Sequence, residues 1–257
     1  MRRGLYKTRA VVLNSFDYGE SDRIVAFYTE DFGKIKGMAK GARRSRKRFV
    51  GKLEPGSIIT LIFFYNGKTE LFRVEDAALI EGFRNLRADI ESLAEAYYLL
   101  ELTDEMTRPG QLVHGVYGLL TGFLGMLDGG AEAALVQRFF EIKLLCLAGY
   151  LPHLVDCVVC RKPFGPGVRG VSFSSEKGGT VCGGCSPGVD GLVPLTIGTA
   201  RLLETASRFD PEKLGRLRPG AVFQKEAETV LHDFIRYQIG KELNTKRFMS
   251  KLKKASV

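Results

Sequence analysis

From Thr8 to about Ile80, apolar residues come in short runs separated by turn-forming residues: TRAVVLNS, DRIVAFYT, KIKGMAK, SIITLIFFY and TELFRVEDA. Runs of this length, rich in Val, Ile, Phe and Tyr, read as five strands. Asn66-Gly67 joins the last two, and this dipeptide tolerates the two positive φ values of a type I′ hairpin turn. The long connection falls between the third and fourth strands. Five short strands with one such connection suit a small Greek-key barrel of the OB type.

Beyond Gly82 the apolar period becomes helical. Leu86, Ile90, Leu93, Ala94, Tyr97, Leu100 and Leu102 share one pattern, which Thr107-Arg108-Pro109-Gly110 ends. Helices are also predicted at 111–127 and 131–148, separated by Asp128-Gly129-Gly130, and at 196–207 and 221–243. The segment between them, about 150–195, is rich in Gly, Pro and Cys. The expected architecture is therefore α+β and multi-domain: a five-stranded OB-fold barrel over 1–82, then an α-helical domain over 83–257. The cysteine segment is a module inserted into the second.

Cys157-Val-Val-Cys160 and Cys182-Gly-Gly-Cys185 are two C-x2-C pairs. Each pair can turn tightly around one ion, and together they supply four thiolates in a tetrahedron, the geometry that suits zinc. A redox pair or four unrelated buried thiols are the alternatives, and doubled spacing favours the metal over both. Four protein ligands leave no open position for water or substrate, so Zn2+ here is expected to be structural. Cys146 lies on the apolar side of a helical pattern and reads as core. His153 stands close to Cys157, but four cysteines already complete a ligand set.

Charge sharpens this picture. The formal net charge is +9 and the pI about 9.3. Residues 1–80 carry 16 Lys and Arg against 9 Asp and Glu, and residues 241–257 carry 6 against 1, leaving the middle slightly acidic. The stretch 34–52 concentrates nine cations without one acid: Lys34, Lys36, Lys40, Arg43, Arg44, Arg46, Lys47, Arg48 and Lys52. A solvated loop is the plain explanation. Phosphate contact is the sharper one, because like charges this dense repel unless an anionic partner neutralises them. Phe49, Tyr18, Phe27, Tyr28 and Phe32 could add stacking surfaces, although most of them are expected in the core. The C-terminal KELNTKRFMSKLKK reads as a basic amphipathic helix, fit either to dock by its apolar side or to meet an anionic partner.

Several function classes lose support. Gly165-Pro-Gly167-Val-Arg-Gly170 matches GxGxxG as a string, but the strand and helix of a dinucleotide fold do not flank it. There is no Walker A motif, and no H-x-E paired with P-C-x-x-C as zinc deaminases use. With three His and no nucleophile motif, the expectation is a protein that is not an enzyme. The start lacks a signal-peptide pattern and no apolar run approaches membrane-spanning length, so a cytoplasmic, nucleoid-associated protein without membrane contact is expected.

The blocks GESD, TEDFGK and AKGAR in that order, followed by LAGYLP, the cysteine pairs and KELNTKRFMSKL, resemble the bacterial recombination mediator family RecO over nearly the whole chain. The resemblance implies an OB fold, a helical domain and a zinc module. It also implies binding to single- and double-stranded DNA and annealing of complementary strands. Proteins similar to it act with RecR to load RecA on strands coated by single-stranded-DNA-binding protein (SSB), whose acidic C-terminal tail they contact. No local motif marks the tail site; Arg138, Lys143 and the segment 241–254, with Lys246 and Arg247, are the candidates. An adaptor whose basic ends hold acidic tails, or a zinc-supported nucleic-acid enzyme, would be the rival functions.

Overall fold

The structure, a computed structural model, describes residues 1–45, 47–209 and 219–255. Five strands, β1 (Gly4–Tyr18), β2 (Asp22–Thr29), β3 (Gly33–Ala39), β4 (Ile58–Tyr65) and β5 (Leu71–Glu81), close into a barrel in the order β1-β2-β3-β5-β4. β1 is long enough to serve two neighbours: Gly4–Val11 pairs with β4 and Ala10–Tyr18 with β2, with a register shift between Val12 and Asn14 where the strand bends. The barrel closes through a short parallel seam, Lys36–Met38 against Leu71–Arg73. Val12, Val25, Phe27, Ile35, Ile59, Leu61, Phe63, Phe72 and Val74 fill the interior.

The β3–β4 connection completes this core. Phe49 and Leu53 come from the loop and are buried among the strand residues; each such burial stabilises by about 1.5–3 kcal/mol. A short 3-10 turn, Ala42–Arg44, starts the loop, and the Ser45 hydroxyl accepts the N–H groups of Arg48 (3.1 Å) and Phe49 (3.2 Å). Phe49 and Leu53 are thus placed inward although the sequence around them is strongly cationic.

The expected type I′ turn is not formed. Gly67 has φ 81°, but Asn66 is not among the residues with positive φ. Its side-chain oxygen accepts the N–H groups of Lys68 (2.8 Å) and Thr69 (3.0 Å), closing a longer loop over 66–70. This is the turn chemistry that makes Asn common in loops of other lengths too.

The helix expected from Leu86 onwards is split into α1 (Arg84–Ala88) and α2 (Ile90–Met106). Asp89 takes an extended conformation between them, and its carboxylate accepts the N–H of Ser92 (2.8 Å) as the cap of α2. α3 (Val116–Asp128) follows, and Asp128 accepts the N–H of Leu86 (2.9 Å). Segment 109–113 lies along the barrel: Gly110 N–H donates to Lys34 O (2.8 Å), and the Tyr28 hydroxyl donates to Val113 O (3.1 Å). The approach is so close that a Cβ at Gly33 would stand 2.1 Å from Gln111 O.

Two compact units divide the chain, Met1–Gly130 with Asn244–Val257, and Ala131–Leu243. The second unit contains α4 (Ala133–Leu147), a three-stranded sheet in the order β7-β6-β8 (β6 Gly170–Ser174, β7 Gly179–Val181, β8 Val193–Thr196), α5 (Ile197–Arg208) and α6 (Ala221–Ile239). Phe173 and Phe234 pack edge to face at 5.6 Å in its core. The helix expected over 221–243 stops at Gly240 (φ 77°), and α7 (Asn244–Ala255) begins anew in the first unit. Among the described residues no helix is long and apolar enough to cross a membrane.

Candidate metal centre and cation-rich barrel loop

The two cysteine pairs converge. The Sγ atoms of Cys157, Cys160, Cys182 and Cys185 all lie within 4.8 Å of one another, with Cys160 and Cys182 at 3.9 Å. Four thiolates about 2.3 Å from one tetrahedral ion would be about 3.8 Å apart, so the donor set fits such an ion. Local structure sets this up. β7 delivers Cys182, while the chain on either side of Cys157 runs beside it through His153 N–H to Gly178 O (2.9 Å) and Val158 N–H to Thr180 O (2.8 Å). Gly179 permits that approach, since a Cβ there would stand 2.5 Å from His153 O. Just past the first pair, Arg161 adopts φ 59°, a conformation that costs a non-glycine residue on the order of 1 kcal/mol.

The electrostatics fit a cation. Burial opposes ionisation of Cys157, but the N–H groups of Cys160, Cys182 and Val159 outweigh it and hold the thiol down to about 6. Cys185 is pushed up to about 12, foremost by hydrogen bonding with the thiols of Cys182 and Cys160. Four thiols so close cannot all ionise without a compensating positive charge, and a bound metal supplies one. His153 is outside the cluster, with Nε2 2.6 Å from Asp156 Oδ1. Cys146, expected in the core, is half-buried. The GxGxxG string runs between the cysteine pairs and leads into β6 rather than into a helix.

The cations of 34–52 separate into distinct environments. Lys34 is buried; its ammonium pairs with Asp104 (3.0 Å) and also donates to the Asp104 carbonyl. It is held inside, unlike the other described cations of the stretch. Arg43 is tied to the β1–β2 turn through Asp17 (3.2 Å) and the carbonyls of Gly19 and Glu20. Arg44 pairs at the surface with Glu20 (3.3 Å). Arg48 donates to Lys40 O (2.7 Å) with its guanidinium over the Phe49 ring, and Lys52 donates to Arg48 O (2.8 Å). Lys36, Lys40, Lys47 and Arg48 are exposed, and Lys52 is half-buried. Arg46 lies outside the described residues. Asp22 anchors the loop start, its carboxylate held below its ordinary range chiefly by the Gly41 N–H.

Among the aromatics expected near these cations, Phe27, Tyr28 and Phe49 are core, Phe32 is half-buried against it, and Tyr18 is exposed. Phe49 is therefore no stacking surface, because it plugs the barrel. The candidate partner residues also part company. Arg138 is buried and paired with buried Glu141 (3.1 Å), so it belongs to the interior of the second unit and not to an open face. The Lys143 ammonium engages Ser207 O (3.4 Å) and Phe209 O at the end of α5. Lys246 lies 4.8 Å over the Tyr98 ring, and Arg247 is exposed. The i,i+3 spacing of Arg138 and Glu141 is local, but their burial is not legible from it, and Lys143 and Lys246 meet partners distant in sequence.

An OB-type barrel with a cationic connection, in a chain that also gathers four cysteines into a metal-sized cage, defines a multi-domain α+β protein with a candidate metal centre. Family models describe the two parts. Recombination protein O N terminal matches residues 1–83, and Recombination protein O C terminal matches 87–247. DNA repair protein RecO of Syntrophus aciditrophicus is 33% identical over 254 residues, 98% of each chain. DNA repair protein RecO of Anaeromyxobacter dehalogenans (strain 2CP-C) is 35% identical over 246 residues, 96% of each chain. That of Syntrophotalea carbinolica is 36% identical over 249 residues, covering 96% of this chain and 95% of the relative. The chain belongs to the RecO family of DNA repair proteins.

Proposed function

We propose that this chain is a non-enzymatic recombination mediator that binds single- and double-stranded DNA, anneals complementary strands, and works with RecR in loading RecA on SSB-coated strands. The observation that carries the reading is the exposed set Lys40, Arg44, Lys47 and Arg48 on a loop fixed to the barrel by Phe49 and Leu53, with Lys36 exposed on the preceding strand β3. Cations on a fixed support are pre-organised for phosphate, and each phosphate they neutralise releases counterions. Two strands neutralised on one surface repel each other less, so base pairing can select the partner without covalent chemistry. The four cysteines hold structural Zn2+ in this reading. Arg247 and half-buried Lys246 on α7 are the cations offered to the acidic SSB tail, and the protein works in the cytoplasm at the nucleoid.

The test is a salt series of binding to a labelled single-stranded oligonucleotide by wild type and by a variant with Lys40, Arg44, Lys47 and Arg48 changed to Ala. The variant is expected to bind more weakly, with a log-log salt slope shallower by roughly 0.7 for each phosphate it no longer neutralises. Equal affinity and slope would remove the loop from the interface. Absence of binding by the wild type would favour a protein adaptor.

A further inference from the structure

The barrel's parallel seam is only three positions long, and beside it the chain opens. Before Lys36, β3 takes Pro109 and Gly110 as its neighbours, while the chain before Leu71 turns away into the 66–70 loop. There a half-enclosed cavity of about 310 Å³ is lined, beside Met1 and Gly110, by Ile35, Lys36, Tyr65, Glu70, Phe72 and Pro109. The Tyr65 and Phe72 rings lie 5.2 Å apart, with Phe72 buried and Tyr65 half-buried. Lys36 is exposed, with no carboxylate within ion-pair distance among the described residues, and Glu70 is exposed too. Lys34 contributes only its stem, because its ammonium is taken by Asp104.

We infer that this cavity receives one unpaired nucleobase of a bound single strand, an inference that rests on the DNA-binding reading above. The lining selects for it. A purely apolar ligand would leave two charges unused, and a simple anion would be repelled by Glu70. A nucleobase presents a flat face to Tyr65, Phe72, Ile35 and Pro109. Its exocyclic amine can donate to Glu70, and the phosphate attached through its sugar can meet Lys36. The aromatics nearest the cationic loop are mostly core, whereas Tyr65 is reachable from solvent. The pocket would hold a base out of its stack and register a strand on the barrel.

The chain has no Trp, so Tyr65→Trp supplies a single stacking reporter. An intact oligonucleotide is expected to quench its emission. An abasic strand of equal length and charge is expected to bind about tenfold more weakly without quenching, as loss of base stacking requires. Tyr65→Leu should bring the intact strand down to the abasic affinity. A mononucleotide should not quench at the strand's concentration; quenching by it to the same extent would assign the pocket to free nucleotides and overturn the inference. If both strands bind by anisotropy and neither quenches, the pocket is overturned while DNA binding stands. If neither strand binds, the DNA-binding reading itself fails. Should Tyr65→Trp not fold, Glu70→Trp on the exposed loop reports on the same cavity with the same outcomes.

Discussion

The carboxylate of Glu101 on α2 accepts the backbone N–H (2.8 Å) and the hydroxyl (2.6 Å) of Thr245, 144 residues further along the chain. Its other oxygen accepts the N–H (3.0 Å) and side-chain amide (3.1 Å) of Asn244. A helix start leaves its first N–H groups without intrahelical partners and carries partial positive charge, so a carboxylate there satisfies both. With Met249 buried and Lys246 over Tyr98, this fixes the basic helix to α2.

Glu101→Ala is therefore expected to loosen α7 at a cost of about 1–2 kcal/mol, the worth of a cap or of hydrogen bonds to a charged group. Hydrogen exchange would show faster amides in 244–252 while the barrel strands stay protected. Unchanged protection there would mean that packing alone holds the helix.

Lys34 and Lys36 are two residues apart, and their substitutions should act differently. Lys34→Ala is expected to leave the salt slope of DNA binding unchanged but to lower the unfolding midpoint, because it strips a partner from Asp104. Lys36→Ala should do the reverse. Denaturant melts and salt series on both variants check this.

Phe49→Ala removes a ring from the barrel core and is expected to cost about 3–5 kcal/mol. Because the same ring holds the cationic loop, DNA affinity should fall although no cation is removed. A folded variant with full affinity would show that the loop needs no plug.

Purified protein is expected to carry one Zn2+ per chain, bound by Cys157, Cys160, Cys182 and Cys185. Chelation or Cys182→Ser should open residues 150–195 to protease while strand protection in the barrel persists. Metal analysis finding no ion after purification under reducing conditions would defeat the expectation.

Glu226 supplies a pH dependence. Burial raises its pKa, but hydrogen bonds from the Thr199 and Thr196 side chains and the Thr196 N–H more than offset that, and the net shift is downward. A lowered folded-state value stabilises fully above the unfolded value of about 4.3, and the contribution is lost as pH falls through the folded value. Wild type should therefore exceed Glu226→Gln in urea stability at pH 7, with the gap narrowing at pH 4 and below.

Short apolar runs, the helical period after Gly82 and the doubled C-x2-C were written locally, and they determined five strands, a largely helical remainder and a four-thiol cage, but not the three-stranded sheet of the second unit. The density of cations in 34–52 and in the C-terminal segment was equally local. What the residues around each cation are was not. Lys34 and Lys36 look alike in GKIKG, yet only the first is covered, because segment 109–113 runs along β3. Arg138 and Phe49 also went inside, one together with its helix neighbour Glu141 and the other filling a barrel that no single strand encloses. Asn66-Gly67 signalled a turn, but its form followed from the Asn66 side chain, which closes a loop over 66–70. The pocket at Tyr65 depends on a seam of three residue pairs, on Pro109, and on a loop that leaves the sheet, and only the closed barrel brings these together. Periodicity and ligand spacing are properties of neighbours in sequence, whereas burial and pairing depend on what the rest of the chain places alongside.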